Sequence, residues 1–205
     1  AIARADSGQT GLSKLDSLLG YAVTNMTVLA PNDAAFQTLI FGLAFQGYLD
    51  YVSQFHAPNA TDSANAFTTA NGAVAAGPAF LGTNNVTTTE VAGIMAYHFL
   101  ATDQGVGFQP NIRAFSVNFS ATPTFYTTLV NTVYPPQVQP GVMAQATFTT
   151  LGPNISIVTN LQFTGAGTFP PGGAPYSGAA ATATSLDNHC VNGVYYVIDK
   201  VLLPQ

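Results

Sequence analysis

Asn192-Gly-Val-Tyr-Tyr-Val-Ile-Asp-Lys-Val-Leu-Leu-Pro204 is the stretch on which the fold turns. Asn192-Gly193 reads as a tight turn that needs positive φ, and Val194 to Leu203, rich in β-branched and aromatic residues, reads as a strand whose apolar side chains enter the core. Working backwards, Ile155 to Thr159 has the same composition. Ala146, Phe148 and Thr150, and before them Phe115, Val117 and Phe119, alternate with a period of two. The second half of the chain therefore reads as mostly β. Tyr134 to Gly141 and Gly165 to Ser177 fit neither period; both are dense in Pro and Gly and read as surface loop insertions.

The first half has a helical period. Thr10 can cap a segment with Leu12, Leu15, Leu18 and Leu19 on one stripe, ended by Gly20. Residues 1–11 are an N-terminal extension or part of that first helix. A short strand, Met26 to Ala30, is broken by Pro31. Asn32 or Asp33 then caps a helix that turns Phe36, Leu39 and Ile40 inward, and Tyr48, Leu49, Tyr51, Val52 and Phe55 repeat the pattern. Thr87 and Glu90 form a capping-box signature ahead of Val91, Ile94, Met95 and Phe99, on a helix running through Tyr97 and His98. Helices first and strands later argue for one α+β domain over residues 1–205, with segregated layers instead of βαβ units.

Composition narrows the function. The chain has 205 residues, of which 47% are hydrophobic and 6% charged, against about 25% charged in an average soluble domain. Its four basic residues, Arg4, Lys14, Arg113 and Lys200, are scattered and its net charge is -5, so no cationic stripe exists for nucleic acid or anionic membrane. Ala34 to Leu49 comes closest to a membrane span but is short of the ~18 to 20 residues required and is interrupted by Gln37, Thr38 and Gln46. No Met or apolar leader opens the sequence, so a secretory signal is expected to have been removed already. Cys190 is the only cysteine, which excludes an internal disulfide. From Ala114 to Leu186 there is no Asp, Glu, Lys, Arg or His, so hydroxyl and amide groups keep this stretch wet. Such surfaces are associated with secreted adhesins. Asn-x-Ser/Thr sequons begin at Asn25, Asn59, Asn85, Asn118 and Asn154.

Three stretches, in order, carry a resemblance. Thr27-Val-Leu-Ala-Pro-Asn-Asp-Ala-Ala-Phe36 resembles the first signature of the fasciclin domain family, Tyr97-His98 its central Tyr-His motif, and Asn192 to Pro204 its closing signature. The resemblance covers roughly residues 12 to 204. It implies a wedge of β-strands, two small packed sheets, flanked by several helices, lying outside the cell and acting in adhesion. Its motif positions, structural or adhesive, fall on Thr27, Asp33, Phe36, Tyr97, His98, Asp187, Asn192, Gly193 and Asp199. The sequence also departs from the pattern. Members often have Asp-Ile five and four positions before the Asn-Gly, a pair linked to integrin recognition; Asp187 matches the Asp, but Asn188 replaces the Ile. Tyr196 stands where the closing motif commonly has His, and the interval from His98 to Asn192 is longer than usual.

Catalytic groups are sparse: one Glu, eight Asp and three His are spread over the chain. His98 shares a helical face with Val91 and Met95 and reads as a semi-buried structural histidine. His189 and Cys190 are adjacent on a strand and point to opposite faces. Asp187 and His189 could share a face and bind a metal, but no third ligand is suggested by spacing. Asp33 reads as a helix cap, and Asp199 as an outward-facing residue beside Lys200. The expectation is a non-enzymatic binding module, secreted or on the cell surface, extracellular or periplasmic, with no cofactor. Its partners would be a cell-surface or matrix protein or a polysaccharide, with weak self-association possible. The alternative is a carrier or sensor holding a small apolar or glycan ligand between helices and sheet.

Overall fold

The computed structural model describes residues 25–77, 80, 88–100, 113–130, 141–168 and 177–204. The expected helix over Leu12 to Leu19, the Thr87 cap, and residues 134–140 of the first loop lie outside these. Among the described residues seven strands form a single mixed sheet in the order β2-β1-β7-β6-β5-β4-β3; the two packed sheets implied by the resemblance are not seen there. The strands are β1 (Met26–Pro31), β2 (Phe99–Leu100), β3 (Thr124–Tyr126), β4 (Val142–Gly152), β5 (Ile155–Thr164), β6 (Ala181–Cys190) and β7 (Gly193–Ile198). A bridge between Leu100 and Thr128 ties β2 to the chain just past β3, so the sheet nearly closes into a barrel. The fold is α+β.

The closing stretch earns its central place by pairing on both sides. β7 runs parallel to β1, from Met26↔Gly193 to Pro31↔Ile198, and antiparallel to β6. Its strand ends at Ile198, earlier than the apolar run to Leu203 suggests. Asp199 breaks the ladder by turning its own carboxylate onto the Thr182 amide at 2.7 Å. Val201 to Pro204 continue without ladder pairing, and the Leu203 carbonyl accepts from Gly167 at 2.8 Å. One core joins Leu29, Leu100, Val142, Leu161, Phe163, Val194, Tyr196 and Ile198. At its centre Phe119 meets Phe163 and Tyr196 edge-on, with ring centroids 5.5 and 5.7 Å apart, a favourable aromatic geometry.

Helix α1 (Asp33–Ser53) unites the two apolar repeats in one element. Asn32 is its N-cap, accepting from the Ala35 amide at 2.8 Å, while Asp33 is the first helical residue and is exposed. Helix α2 (Ala60–Ala76) is one that apolar periodicity does not announce, because the side it buries is Ala66, Ala70 and Ala73. Its ends are legible: Asn59 and Asp62 form a reciprocal capping box, and Gly77 ends it at φ 58°. Helix α3 (Thr88–Tyr97) stops one residue short of the expected end, and Phe99, expected on the helix, lies in β2.

Two further expectations change. Phe115, Val117 and Phe119 do not form a strand; Ser116–Asn118 is a 3₁₀ turn. The Asn118 side chain takes the Phe115 amide at 2.9 Å and Asp187 takes that of Ser116 at 2.6 Å, so side chains outcompete a ladder for these donors. The Gly165 to Ser177 loop does not begin at the surface. Gly165 and Ala166 are buried, with Ala166 1% exposed, beside the C-terminal stretch.

Candidate functional site

The motif residues converge on two internal polar hubs. In the first, Tyr97 at the end of α3 is fully buried; its hydroxyl donates to the Gly141 carbonyl at 2.8 Å and accepts from the Ala166 amide at 3.0 Å. One phenol thus holds the residue preceding β4 and the second residue after β5. The neighbouring His98 is also fully buried. Its Nε2 accepts from the Leu202 amide at 2.9 Å, which assigns the proton to Nδ1, donating to the Ile94 carbonyl at 2.7 Å. Burial, opposed only by the bond to Ile94, pushes the imidazole down from 6.5 to about 4, so it is neutral at physiological pH.

The second hub lies across β6 and β7. Asp187 adopts φ 52°, in an irregular part of β6 between Ser185 and Asn188. Its Oδ1 accepts from the Ser116 amide at 2.6 Å, its Oδ2 from the Ser116 hydroxyl at 2.5 Å, and the Tyr196 hydroxyl sits 2.8 Å from Oδ1. The same hydroxyl is 2.8 Å from the Ala114 carbonyl. Its single proton faces two acceptors, of which the carboxylate is the stronger. Thr27 completes the hub from β1, its Oγ1 accepting from the Ala114 amide at 2.8 Å. Burial, the largest influence on Asp187, works to raise its carboxyl. The bonds from Ser116 and Tyr196 together outweigh it and hold the group below the usual carboxylate range. Burial, then the hydrogen bond and charge of Asp187, push the Tyr196 phenol up.

The remaining motif positions sit apart from these hubs. Phe36 is half-buried against the cluster of Met26, Val91, Met95 and Phe99. Asn192 is buried, its carbonyl accepting from the Met26 amide at 3.1 Å. The tight turn is present, at Val191 and Asn192 between Cys190 and Gly193, but neither Asn192 nor Gly193 has the positive φ expected of it. Gly193 is the first residue of β7, and a Cβ there would lie 2.2 Å from the Met26 carbonyl oxygen. Asp199 is turned in toward Thr182, not outward, and Lys200 donates to the Ala180 carbonyl at 2.8 Å. Asp187 and His189 do not share a metal-binding geometry: the carboxylate oxygens are engaged by Ser116 and Tyr196, and the His189 ring lies 5.3 Å from Phe115. Cys190 and His189 are both exposed. No cluster of three metal-ligating side chains occurs among the described residues.

No family model matches the chain, and no curated protein matches it. Among solved structures it resembles a FAS1 domain pair from the insect cell adhesion molecule fasciclin I, at 14% identity and a TM-score of 0.42. The likeness covers 98% of this chain and 43% of that one, so the chain spans less than half the length of the structure it resembles. What the chain does therefore rests on its own residues.

Sequence reasoning missed Ser116 and Ala114, which supply the contacts that make Asp187 a structural hub. It also missed a cleft of about 260 Å³ between the start of α1 and the C-terminal stretch, bordered by Thr38, Leu39, Gly165, Gly167, Lys200 and Leu203. Among the described residues no helix is long and apolar enough to cross a membrane.

Replacing Asp187 by alanine should cost about 2 kcal/mol at neutral pH, because the amide and the hydroxyl of Ser116 lose their acceptor, while the Tyr196 hydroxyl keeps the Ala114 carbonyl. The carboxyl is depressed in the folded state. Its contribution is therefore complete above the ordinary value of 3.8 and fades as pH falls through the lower, folded value. Urea unfolding of both proteins at pH 7 and pH 3 checks this; an equal gap at both pH values would contradict it.

Proposed function

We propose that the chain is a non-enzymatic binding module acting outside the cell, engaging a cell-surface or matrix protein or a polysaccharide by weak, multivalent surface contacts. The observation that carries this reading is the saturation of the motif residues. The side chains of Tyr97, His98, Thr27 and Asp199 bond to the backbone of their own fold, that of Asp187 to the amide and hydroxyl of Ser116 and to Tyr196, and the Asn192 carbonyl accepts from the Met26 amide. They position loops and present no convergent nucleophile and base. The surface left for recognition is neutral. Exposed Val117, Phe125, Phe148, Leu151, Ile155 and Ile157 are interspersed with Thr, Ser and Asn on a stretch without charge, suited to apolar contact and hydrogen bonding with neutral partners. The sequon asparagines at 25, 59, 118 and 154 are exposed, which accords with a glycosylated, extracellular setting.

A second reading, a carrier or sensor of a small apolar or glycan ligand, is favoured by the cleft beside α1, with its glycines and one ammonium group, Lys200.

The deciding experiment is solid-phase binding of the monomer and of a tethered oligomer to matrix polysaccharides and cell surfaces, at low and high salt. Tethering should raise retention by about 10²-fold or more, and salt should matter little because few charges are there to be screened. Tight monomeric binding abolished by moderate salt would overturn the mechanism. Turnover of a substrate would overturn the non-enzymatic reading, and a co-purifying small molecule displaced by substitutions at Thr38 or Lys200 would favour the carrier.

A further inference from the structure

The β4–β5 hairpin outgrows the fold. β3 pairs with β4 only over Val142 to Ala144, and β6 pairs with β5 only at Gln162 and Phe163. Beyond Ala146, which bonds to the Ser120 carbonyl at 2.8 Å, no third strand pairs with either of them among the described residues, although Val158 still packs against the core. Thr147-Phe-Thr-Thr-Leu151 is exposed throughout, and Leu151, Ile155 and Ile157 are 64%, 58% and 43% exposed. Both outer edges of this arm present backbone N–H and C=O groups to solvent, as an edge strand does.

We propose that this arm pairs with the same arm of a second copy, β4 edge to β4 edge, antiparallel about a two-fold axis through Thr149. Three observations select that occupant. The usual guards of an edge strand are missing: no Lys, no other charge and no Pro lies in Thr147 to Leu151. The register irregularity opposite Thr147 and Phe148 falls on β5, where Thr159 is passed over, so β4 stays regular through Thr150 and is the edge that can pair. Finally, the chain carries a net charge of -5, yet no charged residue occurs from Ala114 to Leu186. Two copies meeting through the arm therefore oppose neutral to neutral, where charge-bearing faces would repel.

The two-fold makes the contact self-complementary. Thr149 faces its own copy and Phe148 faces Thr150; beyond them β4 slips register at Leu151, so the paired centre of the contact is Phe148 to Thr150. Three paired residues a side fall well short of the ~20 to 30 of a standard interface, so the dimer is weak and concentration-dependent. It would supply a second binding surface to the module proposed above, but it does not depend on what that surface binds. Loss of self-pairing and loss of partner binding are separate results.

Sedimentation of the wild-type chain from about 10 μM to about 1 mM should show a rise from monomer toward dimer, the range expected for so small a contact. Thr149→Lys and Thr149→Glu should each stay monomeric, because like charges meet on the axis, while an equimolar mixture of the two should associate again as a heterodimer. Thr69→Lys, an exposed site on α2, should associate like the wild type. All variants should melt as the wild type does. A wild type that is monomeric at about 1 mM overturns the proposal, including the case in which the arm binds a strand of another protein. So do unimpaired association of Thr149→Lys, dispersal by Thr69→Lys, or no recovery on mixing.

Discussion

Replacing His98 by alanine should lower stability by about 3 to 5 kcal/mol at neutral pH and remove most of the slope of stability between pH 6.5 and pH 4. Two effects add in the first figure. The substitution empties a site with no solvent exposure, and it strands the Ile94 carbonyl and the Leu202 amide, the latter 104 residues along the chain from the ring. The pH effect follows from linkage. The buried ring is neutral and pushed down from 6.5 to about 4. The unfolded chain therefore takes up a proton first as pH falls. Stability is full above 6.5, declines below it and has lost about 3 kcal/mol once pH reaches the folded value near 4. In the alanine variant this decline is absent, and the Asp187 carboxylate takes over as the acid-sensitive group below it. Chemical denaturation at pH 7, 5.5 and 4 measures both effects. A variant as stable as the wild type, or one with an unchanged slope, would remove His98 from the framework and return it to the list of binding residues.

Gly193→Ala should cost about 3 kcal/mol or more, by overpacking. The added methyl would stand 2.2 Å from the Met26 carbonyl oxygen and 3.1 Å from its carbon. That neighbour is backbone, fixed by the parallel pairing of β1 and β7, and has no rotamer by which to retreat. Relief would require separating β1 from β7 where both strands begin. Gly47→Ala provides the contrast: nothing lies within 4 Å of its Cβ position on an exposed turn of α1, so the change should stabilise by about 0.5 to 1 kcal/mol through helix propensity. Thermal melts of the pair test whether the closing motif's glycine is required by close approach. Equal melting temperatures would refute that.

Residues close in sequence determined what local physics can determine. The apolar, β-branched run at Val194 to Ile198 read as a strand from its own composition and is one. Asn32 made a helix start because a side-chain oxygen three residues ahead of an orphan amide is a local matter; the same chemistry at Asn59 and Asp62 caps α2, a helix that went unread because alanines hid its apolar side. The thin supply of titratable groups argued against a catalytic constellation from composition alone. What the tertiary structure decided is every role that depends on a distant partner. Phe115 to Phe119 alternates like a strand, but Asp187, 71 residues away, claims the Ser116 amide and leaves a 3₁₀ turn. Gly193 has the sequence signature of a turn, but what excludes a side chain is Met26 on the parallel neighbour. Asp199 resembles a solvent-facing charge until Thr182 arrives from β6. Whether β4 ends inside the sheet or runs on as an arm depends on how far β3 and β6 accompany it. Each of these outcomes is a competition for a hydrogen bond or for space between segments far apart along the chain, and only folding brings such competitors together.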